Sequence, residues 1–382
     1  MHVAWLGKKS PFCGNVTYGR EVTNALLERH YRVSFLHFAQ TETDVRNWPD
    51  CPEVTLPYLY KSQVYTIPSL RSSRVFTEAL HQFQPDLVHA SLTLSTLDFR
   101  LPEICAALGV PLVATFHPPF DSKFRNLKSS TQFLTYQLYA PFLAHYDRVI
   151  VFSELQKDLL VRLGVPTTKV AVIPNGVDVQ RYSPGASDFK QQVRAERLFV
   201  YLGRIATEKN VEAMLKAWKA ANLSVKNKLV IVGDGPLAGA LQSFYGAADG
   251  IIWHGFEGDE QQRIRILRAA DVFVLPSLVE GLSLSLLEAM ACGVACVATD
   301  AGADAEAIAG GAGIELDTQA VTRQLRLLFP LLSEHREWTA LLGKKARQRV
   351  LERYTLSRNI TQLEQLYAEL VPLPPVRLSH RA

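Results

Sequence analysis

The sequence predicts an α/β protein with two doubly wound, Rossmann-like domains that face each other across a cleft. Short apolar runs, typical of buried strands, alternate with helical patterns along most of the 382 residues. Such alternation indicates βαβ units and a parallel sheet. The pattern restarts at LFVYLG (198–203), after a polar stretch that contains Pro and Gly. We therefore predict two sheets, one in each half of the chain.

The elements of both halves follow one another in regular order. In the first half the predicted strands are VAWLG, RVSFLHF, DLVHA, PLVATFH, RVIVFS and VAVIPNG, with helices near 17–29, 72–83 and 99–108. In the second half the predicted strands are LFVYLG, KLVIVG, IIWHG, DVFVLPS and CVATD, with helices near 210–221, 237–244, 259–269 and 284–292.

The domain boundaries follow from the break in this pattern. Residues 178–196 are polar and lack a strong period, so we place the linker there. The predicted organisation is an N-terminal acceptor domain (1–185), a C-terminal donor domain (186–353), a helix that returns to the N-terminal domain (354–372) and a loose tail (373–382).

Composition limits the possible classes of protein. With 48% hydrophobic and 20% charged residues, the chain fits a globular protein. A formal net charge of +4 is too small to argue for a nucleic-acid partner. The five cysteines form no CxxC pair, so we expect neither a disulfide framework nor a zinc site. We expect the protein to lie in a reducing compartment. There is no signal-peptide pattern and no uninterrupted apolar run of about 20 residues. We expect a cytoplasmic protein whose membrane contact is peripheral.

Ligands of open parallel sheets bind beyond the carboxyl ends of the strands, so residues that follow strands are the first candidates. Arg204 and Lys209 follow the strand that ends at Gly203, where both can reach a phosphate. The alternative is a pair of solvated basic residues. The GDGP turn, with Gly233, offers backbone amides near a helix start, or it is a simple turn.

The segment LPSLVEGLSLSLLEAMACG (275–293) is more specific. Glu280 and Gly281 lie in a loop after a strand, and a helix is expected to begin near Ser283 to Ser285, with its first amides and dipole favouring a diphosphate. Glu288, one turn further on, can accept bonds from vicinal hydroxyls. One alternative is a capping box between Ser285 and Glu288. Another is a glycoside hydrolase acid pair, but the upstream cations favour a phosphorylated donor.

Three further residues have open interpretations. His117 follows a strand, where a lone histidine is more often structural than functional. His89 lies within a strand and is expected in the core. Gly176 either permits a close backbone approach or forms a turn.

Together, these motifs resemble the retaining nucleotide-sugar glycosyltransferases of family 4, which have the two-domain fold called GT-B. The resemblance covers nearly the whole chain and includes Gly14, His117, IPNGVD, LGR with Lys209, GDGP, DVFVLPS, Glu280 with Glu288, and ATDAG with Glu306. Asn15, Ser283 and Ala303 stand where the family commonly has glycine.

The resemblance implies roles for individual residues. Arg204 and Lys209 would clamp the donor diphosphate, Glu280 would bind the transferred sugar, Glu288 would hold the ribose, and His117 would lie near the reacting sugar. The other expected donor-binding positions are Gly14, Gly203, Gly233, Gly281, Leu282, Ser283 and Leu284. The donor would be a UDP-sugar, and we expect no cofactor and no metal because the two cations neutralise the leaving group.

The acceptor is less well defined. Tyr58, Tyr60 and Tyr65 lie in one stretch (56–74), and Lys123, Arg125 and Lys128 lie in another (120–146), where basic and aromatic residues are mixed. This mixture suits an anionic membrane surface, whereas the alternative is a core helix with a solvated loop.

The N-terminal stretch is similar to cyanobacterial digalactosyldiacylglycerol synthases, which implies UDP-galactose as donor and monogalactosyldiacylglycerol as acceptor. Two other functions stay open: a glucosyl- or mannosyltransferase with a soluble saccharide acceptor, and a non-catalytic module that binds a nucleotide sugar. The sequence does not define the oligomeric state.

Overall fold

The computed structural model describes residues 1–9, 13–38, 48–62, 65–120 and 127–371, with the backbone alone at 127–131. Within these ranges the chain forms two large sheets, one from each half, together with a small two-stranded hairpin. The predicted α/β class with two parallel-sheet, Rossmann-like domains is therefore confirmed.

The first sheet has seven strands in the order β3-β2-β1-β6-β7-β8-β9. Its strands are β1 (His2–Gly7), β2 (Arg32–His37), β3 (Glu53–Thr55), β6 (Leu87–Ser91), β7 (Leu112–Thr115), β8 (Arg148–Val151) and β9 (Val170–Val172), and every neighbouring pair is parallel. All six residues of β1 are buried, as expected for a central strand covered on both faces.

The helices of the first half are α1 (Gly14–Glu28), α2 (Ser72–Phe83), α3 (Leu101–Leu108), α4 (Leu127–Leu143) and α5 (Glu154–Arg162). Local sequence explains the bounds of α3. Pro102 lies in its first turn, where the missing N–H costs nothing, and Gly109 follows its last residue with φ of +66°.

The second sheet has six strands in the order β12-β11-β10-β13-β14-β15. Its strands are β10 (Arg197–Leu202), β11 (Asn227–Val232), β12 (Ile251–Gly255), β13 (Val272–Leu275), β14 (Ala295–Thr299) and β15 (Ile314–Leu316), again all parallel. The helices are α6 (Phe189–Gln192), α7 (Val211–Ala221), α8 (Ala238–Gln242), α9 (Glu260–Ala269), α10 (Leu284–Ala291), α11 (Asp304–Ile308), α12 (Val321–Glu334), α13 (Arg336–Arg353) and α14 (Leu356–Leu370).

The predicted linker contains ordered structure. Within 178–196 the chain forms the single turn α6, and Tyr182 and Phe189 are buried. Arg347 of α13 donates to the carbonyls of Tyr182, at 2.8 Å, and Val179, at 3.1 Å. The crossing segment is therefore held against the second half by side-chain bonds to its backbone, which its polar composition does not predict.

The last described helix, α14, packs on the first half. Tyr367 and His89 form a 2.5 Å hydrogen bond, and Arg29 of α1 pairs with Glu364. A Cβ on Gly176 would lie 2.7 Å from the Cα of Leu356, so this glycine permits a close approach by the start of α14. The expected tail at 373–382 lies outside the described residues.

His89 is fully buried, as predicted for a core residue. It stacks on Trp5 at 4.1 Å and also bonds Thr115 at 2.7 Å. Burial lowers the pKa of His89 to about 3, so its ring is uncharged.

Candidate functional site

The carboxyl ends of the two sheets meet at three loops. The N–H of Phe120, after β7, donates to the carbonyl of Glu280, after β13, at 2.9 Å. A Cβ on Gly281 would lie 3.5 Å from the carbonyl oxygen of His117. Asn175, after β9, donates from Nδ2 to the carbonyl of Leu282 at 2.8 Å. The structure thus brings the predicted His117 and Glu280 loops together.

Lys209 and Glu280 form an ion pair at this junction. Lys209 Nζ lies 2.5 Å from Glu280 Oε1, and Ser277 Oγ donates to the same oxygen at 2.7 Å. Lys209 is the last residue of a short 3₁₀ turn (207–209) that follows β10, and Glu280 is buried. The pair holds one carboxylate oxygen of Glu280 in place, and a three-proton ammonium can keep this bond while it contacts a second anion.

Arg204 lies on the same loop and pairs with Glu208. Its backbone carbonyl accepts a 2.7 Å bond from the hydroxyl of buried Tyr201, which fixes the start of the loop. Sequence reasoning missed Glu208, although an acid four residues after an arginine and directly before Lys209 is a recognisable charge pattern. Each predicted clamp cation therefore has an acidic neighbour.

The glycines of the two neighbouring loops permit a backbone crossing. Gly233 has φ of +141°, and a Cβ there would lie 1.9 Å from the carbonyl oxygen of Gly203. The N–H of Gly233 donates to Gly255, that of Gly235 to the side chain of Asp234, and that of Leu237 to Ile205. These three N–H groups therefore already have acceptors within the protein, and the role of Gly233 in donor binding stays a prediction.

Helix α10 begins one residue after its N-cap, Ser283. Ser283 Oγ accepts from the N–H of Leu286 at 3.4 Å and lies 3.0 Å from Ser285 Oγ. The capping box between Ser285 and Glu288 is therefore wrong, because the helix starts two residues earlier than that motif requires. The first turn, from Leu284, carries the amides and the positive end of the dipole that favour an anion.

Glu288 lies deeper, on α10, among charged and polar groups from several elements. Burial raises the pKa of its carboxyl to about 7, while Arg263 of α9 and a hydrogen bond from Tyr182 oppose the rise. Glu260 and Glu21 add to the rise. Its protonation therefore changes near neutral pH, which gives this carboxyl a property that an exposed glutamate lacks.

His117 is held at the end of β7 by aromatic rings and one hydroxyl. Its Nε2 lies 2.8 Å from Ser91 Oγ, and the rings of Tyr18 and Phe152 lie 5.0 and 5.3 Å from it. Burial and the charge of Lys8 lower the pKa of His117 to about 3. The ring is uncharged and can exchange hydrogen bonds with hydroxyl groups.

Gly14 is the first residue of the 15-residue helix α1, and a Cβ there would meet no atom of the described residues within 4 Å. Among the described residues, no group of three or more His, Cys, Asp or Glu side chains is arranged to hold a metal ion.

The predicted acceptor residues are only partly described. Lys123 and Arg125 lie outside the described residues, as does the side chain of Lys128. Tyr58 and Tyr60 lie on β4 (Tyr58–Lys61), which pairs with β5 (Thr66–Pro68), and Tyr65 immediately precedes β5. Lys61 is half-buried, and its ammonium donates to the carbonyl of Phe38.

Exposed apolar side chains occur at this hairpin and on α4, and we call these two groups together the apolar face. Its members are Leu59, Tyr60, Tyr65, Ile67 and Leu70 at the hairpin, and Leu134, Leu138 and Phe142 on α4. Leu134 and Leu138 are 62% and 56% exposed and lie one helical turn apart. Both parts contact the loop after β6: the N–H of Thr66 donates to the carbonyl of Leu94 at 3.3 Å, and the rings of Phe99 and Phe142 lie 4.3 Å apart. Among the described helices, none is long and apolar enough to cross a membrane.

The arrangement has two chemical capacities. Arg204, Lys209 and the start of α10 present positive charge and amides to an anion. Glu280 and His117 present hydrogen-bonding groups to hydroxyls at the junction of the two sheets. A ligand in which an anion is covalently joined to a polyhydroxy group could bind to both sets of residues.

Family models match both halves of the chain. Residues 14–181 match the model described as Glycosyltransferase Family 4, and residues 196–329 match the model described as Glycosyl transferases group 1.

Similar proteins include membrane-lipid and lipid-linked glycosyltransferases. The UDP-Gal:alpha-D-GlcNAc-diphosphoundecaprenol alpha-1,3-galactosyltransferase of Escherichia coli is 27% identical over 303 residues, 75% of this chain and 76% of that protein. The sulfoquinovosyl transferase SQD2 of Arabidopsis thaliana is 26% identical over 293 residues, 72% of this chain and 55% of that protein. The alpha-monoglucosyldiacylglycerol synthase of Streptococcus pneumoniae is 27% identical over 297 residues, 71% of this chain and 65% of that protein.

Solved structures share the whole fold. The sucrose-phosphate synthase of Thermosynechococcus elongatus superposes with a TM-score of 0.77 at 21% identity, covering 97% of this chain and 98% of that chain. Anabaena HepE in complex with UDP-glucose superposes with a TM-score of 0.76 at 17% identity, covering 97% and 100%. The GT-B fold that the resemblance implied is confirmed.

Proposed function

We propose that this protein is a retaining hexosyltransferase. The proposal is supported by the match of its first half to the glycosyltransferase family 4 model and of its second half to the glycosyl transferases group 1 model. The donor is a nucleotide sugar, for which we propose UDP-galactose. The acceptor is a glycolipid such as monogalactosyldiacylglycerol at an anionic membrane surface.

The Lys209–Glu280 ion pair is the observation that carries this proposal. Lys209 is a cation suited to the diphosphate, and Glu280 is a carboxylate suited to sugar hydroxyls. Lys209 Nζ and Glu280 Oε1 lie 2.5 Å apart. The pair lies where Phe120 and His117 of the first domain approach the Glu280 loop. A sugar held at Glu280 would therefore have its diphosphate at Lys209 and its other side toward the acceptor domain.

The transfer follows from the charges at this position. The bond from the anomeric carbon to the diphosphate oxygen breaks while the acceptor oxygen bonds that carbon on the same face. The acceptor hydroxyl passes its proton to the departing phosphate oxygen. Negative charge grows on the diphosphate, where Arg204, Lys209 and the first amides of α10 stabilise it. This is the interaction that lowers the barrier.

His117 supports the sugar rather than moving a proton. Positive charge develops at the anomeric carbon as the glycosidic bond breaks. An uncharged imidazole can bond a sugar hydroxyl without adding a positive charge beside that carbon. Its low pKa, a consequence of burial first and of Lys8 second, suits this role.

The apolar face supports a lipid acceptor. It exposes leucine and aromatic side chains on the first domain, and α4 also reaches the His117 loop, since Tyr136 donates to the carbonyl of Pro118 at 2.8 Å. Exposed aromatic and aliphatic side chains suit the interface of a bilayer. The names of the relatives describe acceptors that are diphosphoundecaprenol-linked, or products that are diacylglycerol glycolipids.

The direct test is a screen of donors and acceptors with product mass as the readout. Purified protein is incubated with UDP- or GDP-sugars and with monogalactosyldiacylglycerol in anionic liposomes or with soluble saccharides. We expect a hexose added to the glycolipid from UDP-galactose, and an α-linked product by NMR. A product formed only with a soluble saccharide would support the alternative acceptor class. UDP binding without UDP release from any donor would support the non-catalytic module.

A further inference from the structure

Asp304 is a buried acid next to the donor site that neither the motifs nor the mechanism uses. It is the first residue of α11, directly after the turn that follows β14, and its side chain is 0% exposed. Its Oδ1 accepts the N–H of Ser283 at 2.9 Å. Its Oδ2 is buried and has no hydrogen-bond partner among the described residues.

The turn that carries Asp304 is bound closely to the Glu280 loop. Gly302 has φ of +58°, and a Cβ there would lie 2.1 Å from the carbonyl oxygen of Glu280. The N–H of Ala303 donates to Gly281 at 2.7 Å, and Thr299 Oγ1 donates to Ser277 at 2.6 Å. The two loops are therefore joined by several close backbone contacts, to which Asp304 adds a side-chain bond at the N-cap of α10.

The charge state of Asp304 follows from its surroundings. An ionised carboxylate would bury a negative oxygen without a donor, whereas the protonated acid buries only an unpaired hydroxyl, which costs less. Burial, and then the Glu280 carboxylate, raise the pKa of Asp304 well above its ordinary value, while the Ser283 N–H and Lys209 oppose the rise. On the same helix as Asp304, Glu306 has Arg353, Glu154 and Arg349 as its charged neighbours. The buried Oδ2, which has no hydrogen-bond donor within the described part of the chain, and the raised pKa both favour the protonated, uncharged form of Asp304.

We propose that Asp304 is a positioning residue of the donor site, which holds the Ser283 amide as an uncharged acid and so fixes the first turn of α10 against the donor diphosphate. This rests on the proposed function. Because Asp304 carries no charge, Lys209 stays shared between Glu280 and the diphosphate alone. If Asp304 ionised, a second carboxylate would compete for Lys209 and repel the diphosphate, so UDP affinity would fall as pH rises.

The test measures UDP binding by calorimetry for the full-length protein and two variants. Asp304→Ala removes the acceptor of the Ser283 N–H, and we expect the Kd for UDP to rise about tenfold, as the loss of one positioning hydrogen bond implies. Asp304→Asn keeps an uncharged acceptor and should rescue most of that loss. Asp188→Asn, at an exposed aspartate, is the matched control.

The decisive readout is the ratio of the wild-type Kd to the Asp304→Asn Kd. We expect this ratio to be close to one or lower at neutral pH, because the wild type then carries no more charge at this position than the asparagine variant does. A ratio already well above one at neutral pH, which an ionised Asp304 would give, or an Asp304→Asn variant as weak as Asp304→Ala, would overturn the inference and leave the proposed function intact. A wild-type protein that binds no UDP would overturn both.

Discussion

At the scale of single residues, the function depends on the cations that follow β10. Lys209 is paired with buried Glu280 at 2.5 Å, and Arg204 is paired with Glu208. A leaving diphosphate gains negative charge during the reaction, so cations fixed beside it lower the barrier more than they strengthen ground-state binding.

We predict that Lys209→Ala or Arg204→Ala lowers kcat by about 10²–10³-fold, because the developing charge loses its partner. The measurement is UDP release from the donor identified by the screen. Lys216→Ala is the matched control. Lys216 is an exposed lysine that forms a surface ion pair with Glu212, with an N–O distance of 2.8 Å. Near-normal rates in both clamp variants would contradict the mechanism.

Glu288 gives a second prediction at this scale. The raised pKa of about 7 means that its carboxyl ionises across neutral pH, and the ionised form accepts ribose hydroxyls better. Because an acid loses its proton as pH rises, UDP affinity should increase from about pH 6 to about pH 8. Glu288→Gln should abolish this increase, and 2′-deoxy-UDP should reduce it. An increase that persists in the glutamine variant would assign it to another group.

Residue-level prediction from sequence had a clear physical limit. Lys209 and Glu280 were recognised because both follow strands, and parallel strands bring their carboxyl ends to one edge. Asp304 was missed because the sequence does not reveal that a turn places it under the N-cap of α10. The hydrogen bond from the Gly233 N–H to Gly255 was not predictable either, because sequence cannot show which amides a neighbouring loop accepts from.

At the scale of elements, α10 shows how one side chain sets a helix start. Ser283 is extended, with φ of −71° and ψ of 120°, and its hydroxyl accepts the Leu286 N–H. This is the geometry of an N-cap, which satisfies one amide of the first turn and leaves others available to a ligand.

We predict that Ser283→Ala destabilises the protein by about 1 kcal/mol, the usual cost of removing a serine cap. Ser285→Ala is the matched control and should cost less, because Ser285 lies inside the helix. Urea denaturation at neutral pH measures both. A larger loss for Ser285→Ala would restore the capping box that the structure replaces.

The strongly periodic elements were predictable, whereas the short ones were not. The predicted helix at 72–83 matches α2 in both bounds, and the helix at 284–292 ends one residue beyond α10. β3 and β15 have three residues each, and β4 and β5 form a small hairpin, so these segments are too short for a period to be detected. Their positions depend on neighbours that are distant in sequence.

At the scale of the whole molecule, the proposed transfer to a lipid acceptor requires both the junction of the two sheets and the apolar face. The Phe120–Glu280 and Asn175–Leu282 hydrogen bonds connect the first domain directly to the donor loop. The apolar face lies on that first domain, so a lipid acceptor would reach the donor from the membrane side.

We predict that Leu134→Glu with Leu138→Glu weakens flotation with anionic liposomes several-fold, because charged side chains do not enter the bilayer interface. UDP affinity should be retained, since neither leucine contacts the donor loop. Phe244→Glu, at a residue 71% exposed on the second domain, is the matched control. Wild-type protein that fails to float at low salt would remove the argument for a membrane acceptor.

The most direct test of the donor site is a crystal structure of the protein soaked with UDP. We predict that the diphosphate lies about 3 Å from Lys209 Nζ and from the Arg204 guanidinium, with the first amides of α10 directed at it and the ribose at Glu288. A nucleotide bound elsewhere, or a diphosphate that leaves both cations paired only with Glu208 and Glu280, would contradict it.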